Sequence, residues 1–132
     1  MPTASDVQGY VFKNSSIILL ARIVGEDGLP ITTSTLSSID YTIYELDEAN
    51  PDTLAAVTGH TSVSVTIAGT VFDQLQSDEL WTVDTEGYNF KHVLDVSVNQ
   101  AFAKAGVQYQ VRFELTPTSG QTLVARFKLK AR

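Results

Sequence analysis

Between Val107 and Lys130 the chain alternates apolar and polar residues in two runs separated by a turn sequence. In the first run Val107, Tyr109, Val111, Phe113 and Leu115 are apolar, and Gln108, Gln110, Arg112, Glu114 and Thr116 are polar. In the second, Leu123, Ala125, Phe127 and Leu129 are set against Thr122, Arg126, Lys128 and Lys130. A period of two sustained this long fits a half-buried strand and not a helix, because successive strand side chains point to opposite faces. Pro117-Thr118-Ser119-Gly120 between the runs predicts a hairpin. Both apolar sets carry odd numbers, so an antiparallel pairing that brings them to one face needs partner numbers with an even sum, hence an odd loop. A three-residue Thr118-Ser119-Gly120 loop meets that parity, with Gly120 as its left-handed residue. The same register sets Arg112 opposite Arg126, a modest repulsion that leaves it open.

The rest of the chain reads as further strands. A length of 132 residues suits one domain with its own core. Residues 1–16 read as an N-terminal arm with one short apolar anchor, Gly9-Tyr10-Val11-Phe12, and residues 17–132 as a single sandwich domain. Ile17 to Val24 is apolar on both faces and predicts a strand whose second face is covered, by this chain or by a neighbouring subunit. It ends at the turn sequence Glu26-Asp27-Gly28-Leu29-Pro30. Ile39, Tyr41 and Ile43 alternate with polar residues up to about Leu46. Val63, Val65 and Ile67 mark another strand, and Thr70 to Leu75 a short strand or a turn of helix. Tyr88, Phe90, His92, Leu94, Val96 and Val98 fall on one face, with Asn89, Lys91, Asp95 and Ser97 on the other. At least six short strands with hardly room for a helix predict an all-β sandwich.

One segment carries a more specific pattern. In Gly106-Val107-Gln108-Tyr109-Gln110-Val111, a tyrosine stands near the start of the penultimate strand and two positions before a core residue. That is the form of the tyrosine corner of immunoglobulin-like folds. Together with Trp81-x-x-Asp84-x-x-Gly87-Tyr88-Asn89-Phe90, Ala101-Phe102 and Thr116-Pro117-x-Ser119-Gly120, it resembles small immunoglobulin-like β-sandwich proteins encoded among the virion genes of tailed phages. The resemblance spans about residues 81–120. It implies an immunoglobulin-like antiparallel β-sandwich with a short N-terminal arm, and a structural role in the virion. That role would be a capsid decoration (cement) protein docking on capsid subunits, or a neck, tail or baseplate component. The expected core is Trp81, Tyr88, Phe90, Phe102, Tyr109, Val111, Phe113 and Phe127.

Residue chemistry points away from catalysis. The two histidines, His60 and His92, are far apart in sequence, and His92 reads as a core or rim residue. Phosphate-binding glycine loops, Gly-x-Ser-x-Gly and metal-spaced histidines do not occur. Asp84 and Glu86 read as turn formers rather than as paired glycosidase carboxylates. The acids Glu45, Asp47, Glu48 and Asp52 lack calcium-loop spacing and read as a solvated loop. No cysteine is present, so disulfides and thiolate metal sites are excluded. No catalytic residue, metal or cofactor is expected. The first residues lack a basic region followed by an apolar stretch, so no export signal or membrane span is expected.

Charge does carry a signal. From residue 103 to 132 there are six basic residues and one acid, giving +5, while the remainder holds three basic residues and fourteen acids, giving −11. Arg126, Lys128, Lys130 and Arg132 recur at every second position and share a face of the last strand. They guard an edge against aggregation, or they dock on an acidic surface of a partner or of another copy. With Tyr10, Phe12 and Arg112 they form the expected partner interface. The partners expected are other virion proteins and other copies of the chain. Nucleic acid and membrane are not, since aromatics do not interleave with the basic residues and the rest of the chain is acidic. A carbohydrate- or receptor-binding module is the alternative, with Trp81, Tyr88 or Tyr44 as a stacking platform.

Overall fold

A computed structural model describes residues 4–25, 28–46, 54–79, 81, 86–94, 96, 100–119 and 121–132, with residues 4–8 described in their backbone alone. Among the described residues, nine strands form two sheets. They are β1 (Ala4–Val11), β2 (Ile17–Ala21), β3 (Leu36–Leu46), β4 (Leu54–Ala56), β5 (Val63–Val65), β6 (Val71–Gln76), β7 (Tyr88–Leu94), β8 (Gln108–Pro117) and β9 (Leu123–Ala131). The larger sheet runs β1-β9-β8-β3-β4, with β5 also on β3; the smaller runs β2-β7-β6. This is the strand order of an immunoglobulin-like sandwich: β9-β8-β3-β4 corresponds to its G-F-C-C′ sheet and β2-β7-β6 to B-E-D.

The hairpin has the parity anticipated. Tyr109 faces Leu129, Val111 faces Phe127 and Phe113 faces Ala125, all buried, while Arg112 does face Arg126. The register is centred on Ser119, as a loop over residues 118–120 requires. Gly120, expected as the left-handed residue, lies outside the described residues.

The inner faces of the two sheets meet through aromatic rings. Phe90 from β7 packs edge-on against Phe113 from β8, with ring centroids 4.8 Å apart, and lies 6.2 Å from Phe127 of β9. Phe113 and Phe127 are themselves 5.6 Å apart. Such pairs add about 0.5–1.5 kcal/mol each beyond the apolar area they bury. At the corner before β8, the Tyr109 hydroxyl accepts a hydrogen bond of 3.1 Å from the Lys104 backbone N–H, and its ring packs edge-on against Phe102. This is the tyrosine corner, formed by the residue expected.

Several expectations are corrected or refined. The N-terminal segment carries a full strand: Ala4–Val11 pairs with Val124–Ala131 in parallel, so the larger sheet is mixed rather than wholly antiparallel. Only Val11 of the expected anchor is buried; Tyr10 is 62% exposed and Phe12 72%. Seven of the eight expected core residues are buried, and Trp81 is not. It is half-buried ahead of β7, 5.8 Å from the Tyr88 ring, because the strand that holds the large aromatic in antibody domains is β3, where Tyr41 stands. In β2, Leu19 and Ala21 face inward, but Ile18 is 45% exposed beside its cross-strand partner Val93, 55% exposed. Thus the second face of β2 is not covered at this pair by any described part of the chain. The stretch from Thr70 is the strand β6. Val98 lies outside the described residues.

Asn89, expected on the face opposite Tyr88 and Phe90, is only 1% exposed. Its side chain replaces a neighbouring strand. The Ile23 N–H donates to Asn89 Oδ1 and Asn89 Nδ2 donates to the Ile23 carbonyl, both at 2.8 Å. The pair of bonds extends the β2–β7 contact beyond Ala21, where regular pairing stops.

Candidate functional site: the basic face of the larger sheet

Alternation puts Arg126, Lys128 and Lys130 of β9 on the outer face, beside the polar residues of β8. Register then builds rows across three strands: Lys128–Gln110–Tyr44, Arg126–Arg112–Thr42, and Val124–Glu114–Asp40. Lys130 is exposed opposite half-buried Gln108. The face is therefore basic toward β9 and acidic at the corner where Glu114 meets Asp40.

The middle of this face is not simply solvated. Gln110 is 6% exposed beneath its longer neighbours. Arg112 stands between two opposing demands. Across the strand it faces Arg126, and two residues along it has Glu114, whose Oε1 lies 3.4 Å from Arg112 Nε. That ion pair lacks hydrogen-bond alignment, so Nε is a buried donor with no hydrogen-bond partner among the described residues. A buried donor left in this state costs stability and gains from any acceptor brought to it.

At the far end of β9, Arg132 is tied to the end of β1. The Arg132 N–H donates to the Val11 carbonyl at 2.8 Å, and the Lys13 N–H donates to the Arg132 carbonyl at 2.7 Å. The Arg132 guanidinium lies 3.8 Å above the Tyr10 ring. This cation–π contact is worth about 0.5–1 kcal/mol at an exposed site. The interface residues expected from both ends of the chain, Tyr10, Phe12, Lys130 and Arg132, thus occupy one neighbourhood. Arg112 and Arg126 lie further toward the hairpin tip on the same sheet.

The fold also gathers residues that spacing did not connect. His60, 3% exposed, shares a hydrogen bond of 2.9 Å between its Nδ1 and the Tyr41 hydroxyl. On the other side, the half-buried His92 ring lies 5.4 Å from Tyr41 and 5.4 Å from Phe113. Burial lowers the His92 pKa and raises that of Tyr41, which favours neutral forms of both. The Tyr41 hydroxyl and His60 Nδ1 make a polar bridge in the core, with the His92 ring packed against Tyr41. The signal that His60 would join is structural: the Ile43 N–H donates to the His60 carbonyl, which holds the 57–60 loop on β3 between β4 and β5.

The remaining polar candidates are spread out. Glu45 accepts from Lys104 Nζ at 3.1 Å, while Asp47, Glu48 and Asp52 lie outside the described residues. Glu86 pairs with Arg22 at 3.4 Å, and Asp84 lies outside the described residues. Among the described residues, no three His, Asp or Glu side chains gather closely enough to hold a metal ion. No described helix is long and apolar enough to cross a membrane. Of the aromatics considered for sugar stacking, Tyr88 is buried and donates its hydroxyl to Asp78 Oδ2 at 2.7 Å. Tyr44 is half-buried in β3 of the larger sheet, and Trp81, also half-buried and outside any strand, packs on Tyr88 of the smaller sheet.

The fold and the face define an immunoglobulin-like β-sandwich with a basic outer sheet. Comparison with known proteins adds no relative: no family model matches the chain, and no curated protein or solved structure matches it significantly.

Proposed function

We propose that the chain is a non-enzymatic structural component of a phage-like particle, a decoration protein that docks on capsid subunits through the basic face of the larger sheet. The observation that carries this reading is the alignment of Arg126, Lys128 and Lys130 on one face with Arg132 and Tyr10 at its end. Edge protection alone needs charge on the edge strand, and here the edge strand is β1, not β9. The cations stand one strand further in, continuous with Arg112 on β8. An acidic partner surface laid on this face would supply acceptors to the exposed ends of these side chains. The same face would serve a neck, tail or baseplate component. The exposed Ile18–Val93 pair on the opposite sheet offers a second contact in a crowded assembly.

The test is co-sedimentation with purified particles of the parent phage. Lys128→Glu combined with Lys130→Glu is expected to lower occupancy and to leave folding intact, since both side chains are on the outer face. Wild-type occupancy by the double variant would refute docking through this face. A carbohydrate-binding reading has less support, because Trp81 and Tyr44 share no platform.

A further inference from the structure

A groove of about 330 Å³ opens at the hairpin-tip end of the sandwich, with apolar walls from Leu29, Pro30, Ile31, Leu36, Pro117 and Leu123. Leu29 on its rim is 63% exposed. At the other end stands Phe12, the most exposed large apolar side chain among the described residues. Because β1 and β9 run parallel, Phe12 follows Val11, the partner of Ala131, whereas the groove begins at Leu123. At about 3.3 Å per residue the two ends are roughly 26 Å apart along β9. Knob and groove cannot meet within one copy.

Their charges are opposite. Phe12 is followed by Lys13, and Arg132 lies over the adjacent Tyr10. Asp73 stands near the groove: its carboxylate accepts from the Thr33 N–H at 2.7 Å, two residues before Thr35 on the groove wall.

We infer that Phe12 of one copy seats in the hairpin-tip groove of the next, giving a head-to-tail contact between copies. Such a contact uses two different patches and does not close on a dimer; it continues into rings or filaments. Each contact is small. An aromatic side chain buries roughly 150–250 Å², against the roughly 800 Å² per partner of a standard stable interface. Copies free in solution therefore associate weakly, and copies held on a common surface associate far better, through effective concentration. This rests on the proposed function only in taking Tyr10 and Phe12 as contact residues. Self-association is read on the purified chain without particles, so it can fail while docking stands, and the reverse.

The experiment is sedimentation velocity at low salt from micromolar to millimolar protein. The wild-type weight-average sedimentation coefficient is expected to rise throughout without levelling at a dimer, and to fall when salt is added. Phe12→Ala and Leu29→Glu, both at exposed positions, are expected to keep the wild-type melting temperature and each to weaken association at least about tenfold. An equimolar mixture of the two variants is expected to form one-to-one dimers that do not grow, because one retains the groove and the other the knob. A wild-type chain that stays monomeric at millimolar concentration, one that stops at dimers, or a variant mixture without heterodimers would each overturn the inference.

Discussion

Replacing Asn89 by Ala tests whether its amide acts as a strand substitute. The side chain holds two backbone groups of Ile23, the N–H and the carbonyl, each at 2.8 Å and buried. With Ala the Ile23 N–H is orphaned, while the Ile23 carbonyl keeps the Ile31 N–H at 3.2 Å, so the cost is about 1–3 kcal/mol before any local adjustment. Against a typical stability of about 5–15 kcal/mol the variant should still fold. With a urea slope near 2 kcal/mol/M, the unfolding midpoint should drop by about 0.5–1.5 M. Asn89→Asp separates the two bonds. An ionised carboxylate still accepts from the Ile23 N–H but is set against the Ile23 carbonyl, so burial and that carbonyl raise its folded pKa above the unfolded value near 3.9. A raised folded pKa means that the folded state binds the proton more tightly. Stability is then retained below the unfolded pKa and lost as pH rises through the folded one. The gap between this variant and wild type should widen from pH 4 to pH 7. An Ala variant that loses under about 1 kcal/mol, or an Asp variant with a pH-independent gap, would refute the strand-substitute account.

Three further outcomes follow from single contacts. Tyr109→Phe removes the acceptor of the Lys104 N–H and should cost about 0.5–1.5 kcal/mol, seen as a melting temperature lower by a few degrees; no change would mean the corner is held by ring packing alone. Gly87 has φ +109° and a Cβ there would collide with the Gln76 carbonyl, so Gly87→Ala should destabilise by more than about 2 kcal/mol or prevent folding, measured by urea titration. Burial holds the His92 pKa below its ordinary 6.5, so the folded state disfavours the proton. The contribution is complete above the unfolded pKa and is lost as pH falls below about 6.5. His92→Gln should flatten the wild-type decline in melting temperature between pH 7 and pH 5, and an unchanged decline would assign it to other groups.

The parts of the fold that local pattern determines were legible. The hairpin register follows from parity, since odd-numbered apolar sets admit only even-sum pairings, and Val111 opposite Phe127 satisfies it. The tyrosine corner is likewise local, five residues from Lys104 to Tyr109. Parallel pairing of β1 with β9 is a contact between residues more than a hundred positions apart, and nothing in Ala4–Val11 marks its partner. The burial of Asn89 is not legible in the sequence for a related reason. Alternation assumes that every strand residue pairs through its backbone, whereas Asn89 lies beyond the paired end of β2 and turns its amide inward to do that work.

The candidate site divides along the same line. Alternation alone put Arg126, Lys128 and Lys130 on one face, and it also placed Arg112 among them. What it could not supply is which strand lies outside β9. With β9 at the edge, the basic residues would be sufficiently explained as protection against strand addition. With β1 covering that edge, the backbone of β9 is paired on both sides, to β1 and to β8. The cations then guard no open ladder, and their concentration on the outer face calls for another cause. The cause proposed above is docking on an acidic partner.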